Sequence, residues 1–294
     1  MGLFFACLAS FFASFNNYAQ RRSIDIGGSC KGFIVIQLFS SFLVMMLLNP
    51  LGIDSVGKEV CCFGIFGGII LGLLTWGIGK TLEHGPPGLT FAIFSSASFV
   101  PAFFFFLFFG PSFGYSFTLW NIGGSLLVIL GLFLAARQSV QIRVGRWKYF
   151  MTFAFAAHAL FLGFLALWAL ILRGEHPLFS SFLIPSSHRG WFMPIMLLTA
   201  AMMQLGLFLF EKRLPHKKEV FYGMGGGVCH GLCTYFLILA PQKAAFWENA
   251  MLFPTYAVLI ILICNGWAQL IYKEKVHWKA NAIAFAGIVL GALG

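Results

Sequence analysis

The sequence predicts an all-α polytopic membrane protein with ten transmembrane helices, arranged as two inverted five-helix repeats, and three observations carry that prediction. The chain of 294 residues is 60% hydrophobic and only 10% charged, more apolar surface than one soluble core can hide from water. Its apolar runs are long enough to cross a hydrocarbon layer of roughly 30 Å as helices of about 20 residues, and they lack the short alternation of barrel strands. Backbone groups in lipid have to be satisfied within their own segment, which selects helices. The third observation is that the chain repeats itself.

A shift of 159 residues, the distance from Gly64 to Gly223, superimposes Gly64, Gly67, Gly68, Gly72, Leu73, Thr75 and Trp76 on Gly223, Gly226, Gly227, Gly231, Leu232, Thr234 and Tyr235. Further on, Pro101 pairs with Pro254, and Asn121 and Gly131 pair with Asn281 and Gly291. The repeats are therefore expected over residues 1–140 and 141–294. Spans are expected at about 2–19, 32–50, 60–80, 88–109, 117–136, 149–172, 191–210, 220–240, 244–271 and 278–294. Five spans per repeat is an odd number, so the second copy has to enter the membrane upside down.

The formal charge of +10 does not point to nucleic acid, because the basic residues sit in short loops between spans. Of the 19 Lys and Arg, only Lys58, Arg173, Arg189 and Lys243 follow even-numbered spans. The positive-inside rule then puts the odd-numbered loops in the cytoplasm and both termini outside. The seven cysteines include no C-x-x-C pair, so neither a zinc site nor a disulfide framework is indicated. The opening MGLFFACLASFFASF has no basic segment ahead of its apolar run, and Ala6 spoils a myristoylation pattern; it is expected to be the first span.

Glycines at helical spacing line the third and eighth spans, where another helix can approach closely. Either the stripes serve packing alone, or the residues that finish each one, Thr75 with Trp76 and Thr234 with Tyr235, line a cavity between the repeats. Pro101 and Pro254 interrupt apolar runs and are expected to kink their helices near mid-membrane. Ionisable groups within the spans are few, and burying one is costly. They are His158, His230, whose repeat partner is Leu71, and Glu248, expected a turn or two inside the ninth span. Glu248 is a candidate for proton coupling or for meeting a cationic substrate group. A neutral ring bonded to a neighbouring carbonyl is the commoner role of such a histidine, and Glu248 reads equally as an ordinary glutamate at the interface. Asn16, Asn17, Ser95, Ser96, Ser98, Asn249, Thr255 and Tyr256 are candidates to hydrogen-bond a polar ligand beside aromatic rings. Gln204 and Asn265 are weaker candidates. No nucleophile elbow, phosphate-binding glycine loop or carboxylate pair is present, so neither an enzyme nor an ATP-driven pump is expected, and no cofactor or metal is called for.

These glycine-rich third and eighth spans, the two prolines after them, and the segments NIGGSLLVILG and NAIAFAGIVLG together resemble the drug/metabolite transporter superfamily in its ten-span, EamA-like or glucose/ribose-porter-like form. Glu274, in YKEK, is similar to an acidic residue of that family's last loop; the first copy has Gly110 and Pro111 there. The resemblance implies a secondary carrier in a bacterial inner membrane, with a central cavity opening alternately to each side. Its partners would be the lipid bilayer, a small polar substrate such as an amino acid, nucleoside-like compound or sugar, and a coupling proton or cation. It also implies cytoplasmic termini, opposite to the loop charges. A multidrug or metabolite exporter of the same fold and a non-transporting membrane scaffold are the alternatives.

Overall fold

A computed structural model describes residues 1–49, 56–84, 118–137, 145–173, 184–273, 276 and 278–292, together with individual positions between 90 and 107. Among the described residues the regular elements are all helical. The long ones are α1 (Gly2–Asp25), α2 (Cys30–Leu48), α3 (Lys58–His84), α4 (Leu119–Arg137), α5 (Trp147–Arg173), α6 (Phe192–Leu209), α7 (Lys217–Lys243), α8 (Leu252–Tyr272) and α9 (Trp278–Ala292). Six of them, α2, α3, α5, α6, α7 and α8, are long and apolar enough to cross a membrane, which marks a multi-pass integral membrane protein. Large apolar side chains such as Phe11, Leu43, Phe66, Leu126 and Phe285 are exposed on the helices, as lipid contact requires.

α1 has the length of a span at 24 residues but is more polar, because it carries Ser10, Ser14, Asn16, Asn17 and Gln20. Ser10, Ser14, Asn16 and Gln20 are buried against the protein. The Ser10 hydroxyl donates to the carbonyls of Ala6 and Tyr256, and Ser14 donates to Ser10 and Ile260, so α1 is bonded to α8 as well as to itself. The two helices run parallel.

Helix ends are fixed by side chains. Ser29 accepts from the Gly32 amide at the start of α2, and Thr118 exchanges bonds with Asn121 at the start of α4. The Asn121 amide also donates to Gly291 of α9 at 2.7 Å. α8 departs from expectation: its first turn begins at Leu252, after a separate 3₁₀ turn over Phe246–Met251. Pro254 is therefore the third residue of α8, where a backbone N–H has no helical acceptor, and it does not kink the helix at mid-membrane. Pro101 is buried in the partly described stretch 90–107.

The glycine stripes set how the central helices meet. α3 runs parallel to α6, with Gly64 against Ile195 and the Phe192 carbonyl, Gly68 against Thr199 and the Met196 carbonyl, and Gly72 against Met203. α7 runs parallel to α2, with Gly223 against Ile36 and the Phe33 carbonyl, Gly227 against Ser40 and the Gln37 carbonyl, and Gly231 against Ser41 and Met45. The shift that relates the stripes also relates Ile36 to Ile195, Gln37 to Met196 and Ser40 to Thr199. α1 lies antiparallel to α7, with Gly2 beside Ala240 and Ala244, and Asn16 beside Gly226; α3 lies antiparallel to α5, with Gly67 on Phe164 and Gly77 on Phe153. α4 and α9 pack antiparallel, Gly124 meeting Gly291 and Gly131 meeting Ala284.

A Cβ built at Gly68 would stand 2.5 Å from both the Met196 oxygen and Thr199 Cβ, and one at Gly227 would stand 2.5 Å from the Gln37 oxygen and Ser40 Cβ. Gly68→Ala and Gly227→Ala are each expected to destabilise the detergent-purified protein by about 1–3 kcal/mol, the usual cost of overpacking. Gly225→Ala and Gly266→Ala, which meet nothing within 4 Å, are the controls and should leave the melting temperature unchanged or slightly raised.

Candidate functional site

Halfway along the helices, a cavity of about 80 Å³ is enclosed between α1, α2, α3, α5, α7 and α8. Its polar wall carries Asn16, Asn17 and Gln20 from α1, Gln37 from α2, Thr75 from α3, His158 from α5, His230 and Thr234 from α7, and Tyr256 from α8. Phe94, Phe161 and aliphatic side chains complete it. α1 supplies three amides because residues four apart, or adjacent to such a pair, fall on one helical face.

The hydrogen bonds divide these residues into spent and free groups. The Thr75 hydroxyl donates to Leu71 one turn back and accepts from Gln204, which also donates to the Gly72 carbonyl at 2.6 Å. Thr234 likewise donates one turn back, to His230. Both threonines therefore brace helices while lining the space. Gln20 donates to Cys30, Asn17 to Cys264, and the Tyr256 hydroxyl pairs with Cys233, all through weakly bonding sulfur. Asn16 Oδ1 and His230 Nε2 are buried with no protein partner. The His158 ring stacks on Phe94 at 3.8 Å between centroids, and its Nδ1 lies 2.8 Å from the Phe94 carbonyl. A carbonyl only accepts, so Nδ1 carries the proton and Nε2 is left as an acceptor.

Several expected site residues lie elsewhere. Trp76 continues the glycine stripe toward α6 and packs edge-on against Phe150 and Phe153; Thr75, one residue back and so turned by about 100°, takes the cavity wall instead. Tyr235 is 37% exposed and lines a second, wider space of about 420 Å³ between the ends of α2, α5 and α7 and the start of α6, with Trp168, Asn49, Gln242 and Arg189. Asn249 and Thr255 are buried but form no part of the central wall. Ser95, Ser96 and Ser98, like Glu274, lie outside the described residues. Gln20 and Gln37 were not anticipated. Gln37 sits where the other copy has Met196, and that polar-for-apolar exchange inside CKGFIVIQLFSSF is the signal that would have found it.

Glu248 does not reach the cavity. It is 3% exposed in the 3₁₀ turn before α8, and its carboxylate accepts from the amides of Gly2, Leu3 and Ala245 and from the amino group of Met1. It satisfies the first N–H groups of α1, the electropositive end of that helix. Burial alone would raise its pKa, but the bonds from Ala245, the Met1 ammonium, Leu3 and Gly2 outweigh burial and hold it below the usual carboxylate value.

On the face where α1 and α6 end, charged groups clamp the helices together. The Glu219 carboxylate, with no exposure, accepts two bonds from the Arg213 guanidinium at 2.8 and 2.9 Å and one each from the Ser29 and His216 amides. Arg213 also bonds the Ser29 hydroxyl, and Lys31 pairs with Glu211 at 3.3 Å. The bond to Glu219 raises the Arg213 pKa further. This clamp joins the α1–α2 connection to the α6–α7 connection. The space beside Tyr235 lies toward the opposite face.

Replacing the Glu248 carboxylate by an amide is expected to lower stability by about 2 kcal/mol at neutral pH, the worth of charge-assisted bonds. A group with a depressed folded pKa stabilises above its unfolded value and loses that contribution as pH falls through the folded one. The difference between Glu248→Gln and the parent should therefore shrink on acidification; a gap that stays constant from neutral pH to pH 3 would contradict the capping role.

No protein-family profile matches the chain, and no curated protein matches it. A solved crystal structure is similar in fold, with a TM-score of 0.70 and 17% identity, over 99% of this chain and 94% of its own length.

Proposed function

We propose that the protein is a secondary carrier of the drug/metabolite transporter kind, ten spans in two inverted repeats, that moves a small polar organic metabolite across a membrane by alternating access. The observation that carries this reading is the polar cavity at mid-height, walled by helices from both sequence halves. Helix direction supports the inversion. With α1 taken as ascending, α3, α4, α6 and α8 ascend while α2, α5, α7 and α9 descend. Helices at the repeat spacing, α1 and α5, α2 and α6, α3 and α7, α4 and α9, thus run in opposite senses. The glycine contacts exchange partners under the same 159-residue shift, as a pseudo-two-fold would make them do.

In such a carrier the cavity communicates with one side at a time. The Arg213–Glu219–Ser29 clamp closes the basic face, and it has to break for the cavity to open there. Substrate drives that exchange only by its differential affinity for the two forms. Glu248, the carboxylate expected from the sequence to take up a coupling proton, is engaged at the end of α1, away from the cavity.

Counterflow in proteoliposomes tests the reading. After a thermal-shift screen of a metabolite library, a hit should exchange faster than in protein-free vesicles, and Asn16→Ala should reduce the exchange at least about tenfold, equivalent to ~1.4 kcal/mol. Binding without exchange for every hit would favour a scaffold, and net outward flux would favour an exporter. Glu219→Gln should separately open the basic face, read as faster labelling of the buried Cys30 by a membrane-impermeant thiol reagent, with the site assigned by peptide mapping. Unchanged labelling would remove the clamp from the cycle.

A further inference from the structure

The charge content of the central wall restricts what it can hold. Among the described residues lining the cavity there is no Asp, Glu, Lys or Arg. The stretch 85–117, which contains the fourth expected span, has none in its sequence either, so that wall can add no formal charge. Among these helices α3, α5 and α7 run well past the cavity on both sides, while α2 and α8 begin about one turn before Ile34 and Tyr256, so that their first amides stand outside the wall. An ionic group brought here would lose its hydration and find no Asp, Glu, Lys or Arg among the described lining residues to pair with, and a buried unpaired charge is among the costliest arrangements in a protein.

What the wall offers in place of charge is amide chemistry. Asn16, Asn17, Gln20 and Gln37 bring four carboxamides together from two adjacent helices, each presenting a donor and an acceptor side by side. Such a group pairs with a ligand edge that carries a donor next to an acceptor, as nucleobase edges, primary amides and sugar diols do. Asn16 Oδ1 and His230 Nε2 stand buried without protein partners, and the Nε2 of His158 is fixed as an acceptor by the Phe94 carbonyl. The acceptors at Asn16 Oδ1 and His158 Nε2 call for hydrogen-bond donors, which a ligand in the cavity would supply. The aliphatic and aromatic remainder of the wall, Phe161 and Leu237 among it, favours a compact body over an extended one.

We infer that the cavity selects uncharged molecules bearing adjacent hydrogen-bond donors and acceptors, and discriminates against zwitterions, organic anions and organic cations of the same size. This rests on the carrier reading for its biological sense but not for its physics, since selection by the wall is a property of binding. Of the metabolite classes expected from the sequence, it retains nucleoside-like compounds and sugars and sets aside free amino acids.

The test uses matched pairs that differ only in charge, with the full-length protein in detergent for binding and in proteoliposomes for counterflow. Nicotinamide is set against nicotinate and 1-methylnicotinamide, and glucose against glucuronate, compounds of closely similar size. The expected result is that at least one neutral member raises the melting temperature and binds ten times or more tighter than its charged partners. Charged partners that bind as well as or better than neutral ones would overturn the inference, as would the absence of binding by every neutral member. A neutral ligand that binds but is never exchanged leaves the inference standing and removes the carrier reading; a charged compound that is exchanged does the reverse. Gln37→Glu provides a second measurement, because a carboxylate in the wall should shift preference toward 1-methylnicotinamide; an unaltered preference in a folded variant would count against the wall as the selecting element.

Discussion

Close approach of α3 to α6 and of α7 to α2, permitted by glycine, is the constraint on which the remaining architecture depends. Where Gly68 and Gly227 meet backbone carbonyls of the facing helix, no side chain can be inserted without pushing the pair apart. Interfaces of this kind gain little from a hydrophobic driving force in lipid, whose tails are as apolar as leucine, and rely on tight packing. The four helices so joined form the inner frame. α1 and α5 are laid across it antiparallel to α7 and α3, and the space left between them is the polar cavity.

Much of this arrangement could be read from the chain. The glycine periodicity marked the interfaces, and the 159-residue shift marked which contacts would correspond. Polar residues within apolar segments, Asn16, Asn17, His158 and His230, marked the cavity because a membrane helix seldom carries them without a partner or a cavity to face. Other features were not legible, for identifiable reasons. Trp76 and Tyr235 were grouped with the threonines beside them, although a helix turns neighbouring residues to different faces. Pro254 was placed by span length, and only the 3₁₀ turn before it shows that it belongs to a first helical turn, where a proline is harmless. Glu248 reads from the sequence either as a buried functional carboxylate or as an interfacial glutamate, and its capping role is hidden because its partners, the amides of Gly2 and Leu3, lie almost the whole chain away.

The distribution of ionised groups follows one rule. Among the described residues the buried carboxylates, Glu219 and Glu248, sit at helix ends, where backbone amides and cations meet them, and neither enters the central wall. Charge thus fastens the extremities of the helices, while the middle of the molecule relies on amides, hydroxyls and imidazoles. That separation lets a clamp such as Arg213–Glu219 be strong where helices meet at one end, without placing an ionised carboxylate or guanidinium among the described residues of the central wall.

The polarity of α1 has a consequence for biosynthesis. Its serines and amides find their partners on α8 and its first amides find Glu248, segments made more than two hundred residues later. At roughly 5–20 residues per second, a ribosome takes on the order of tens of seconds to deliver them. During that interval the Ser10 and Ser14 hydroxyls have only the carbonyls of their own helix to bond, and the partners that shelter the polar face of α1 arrive with the distal part of the polypeptide.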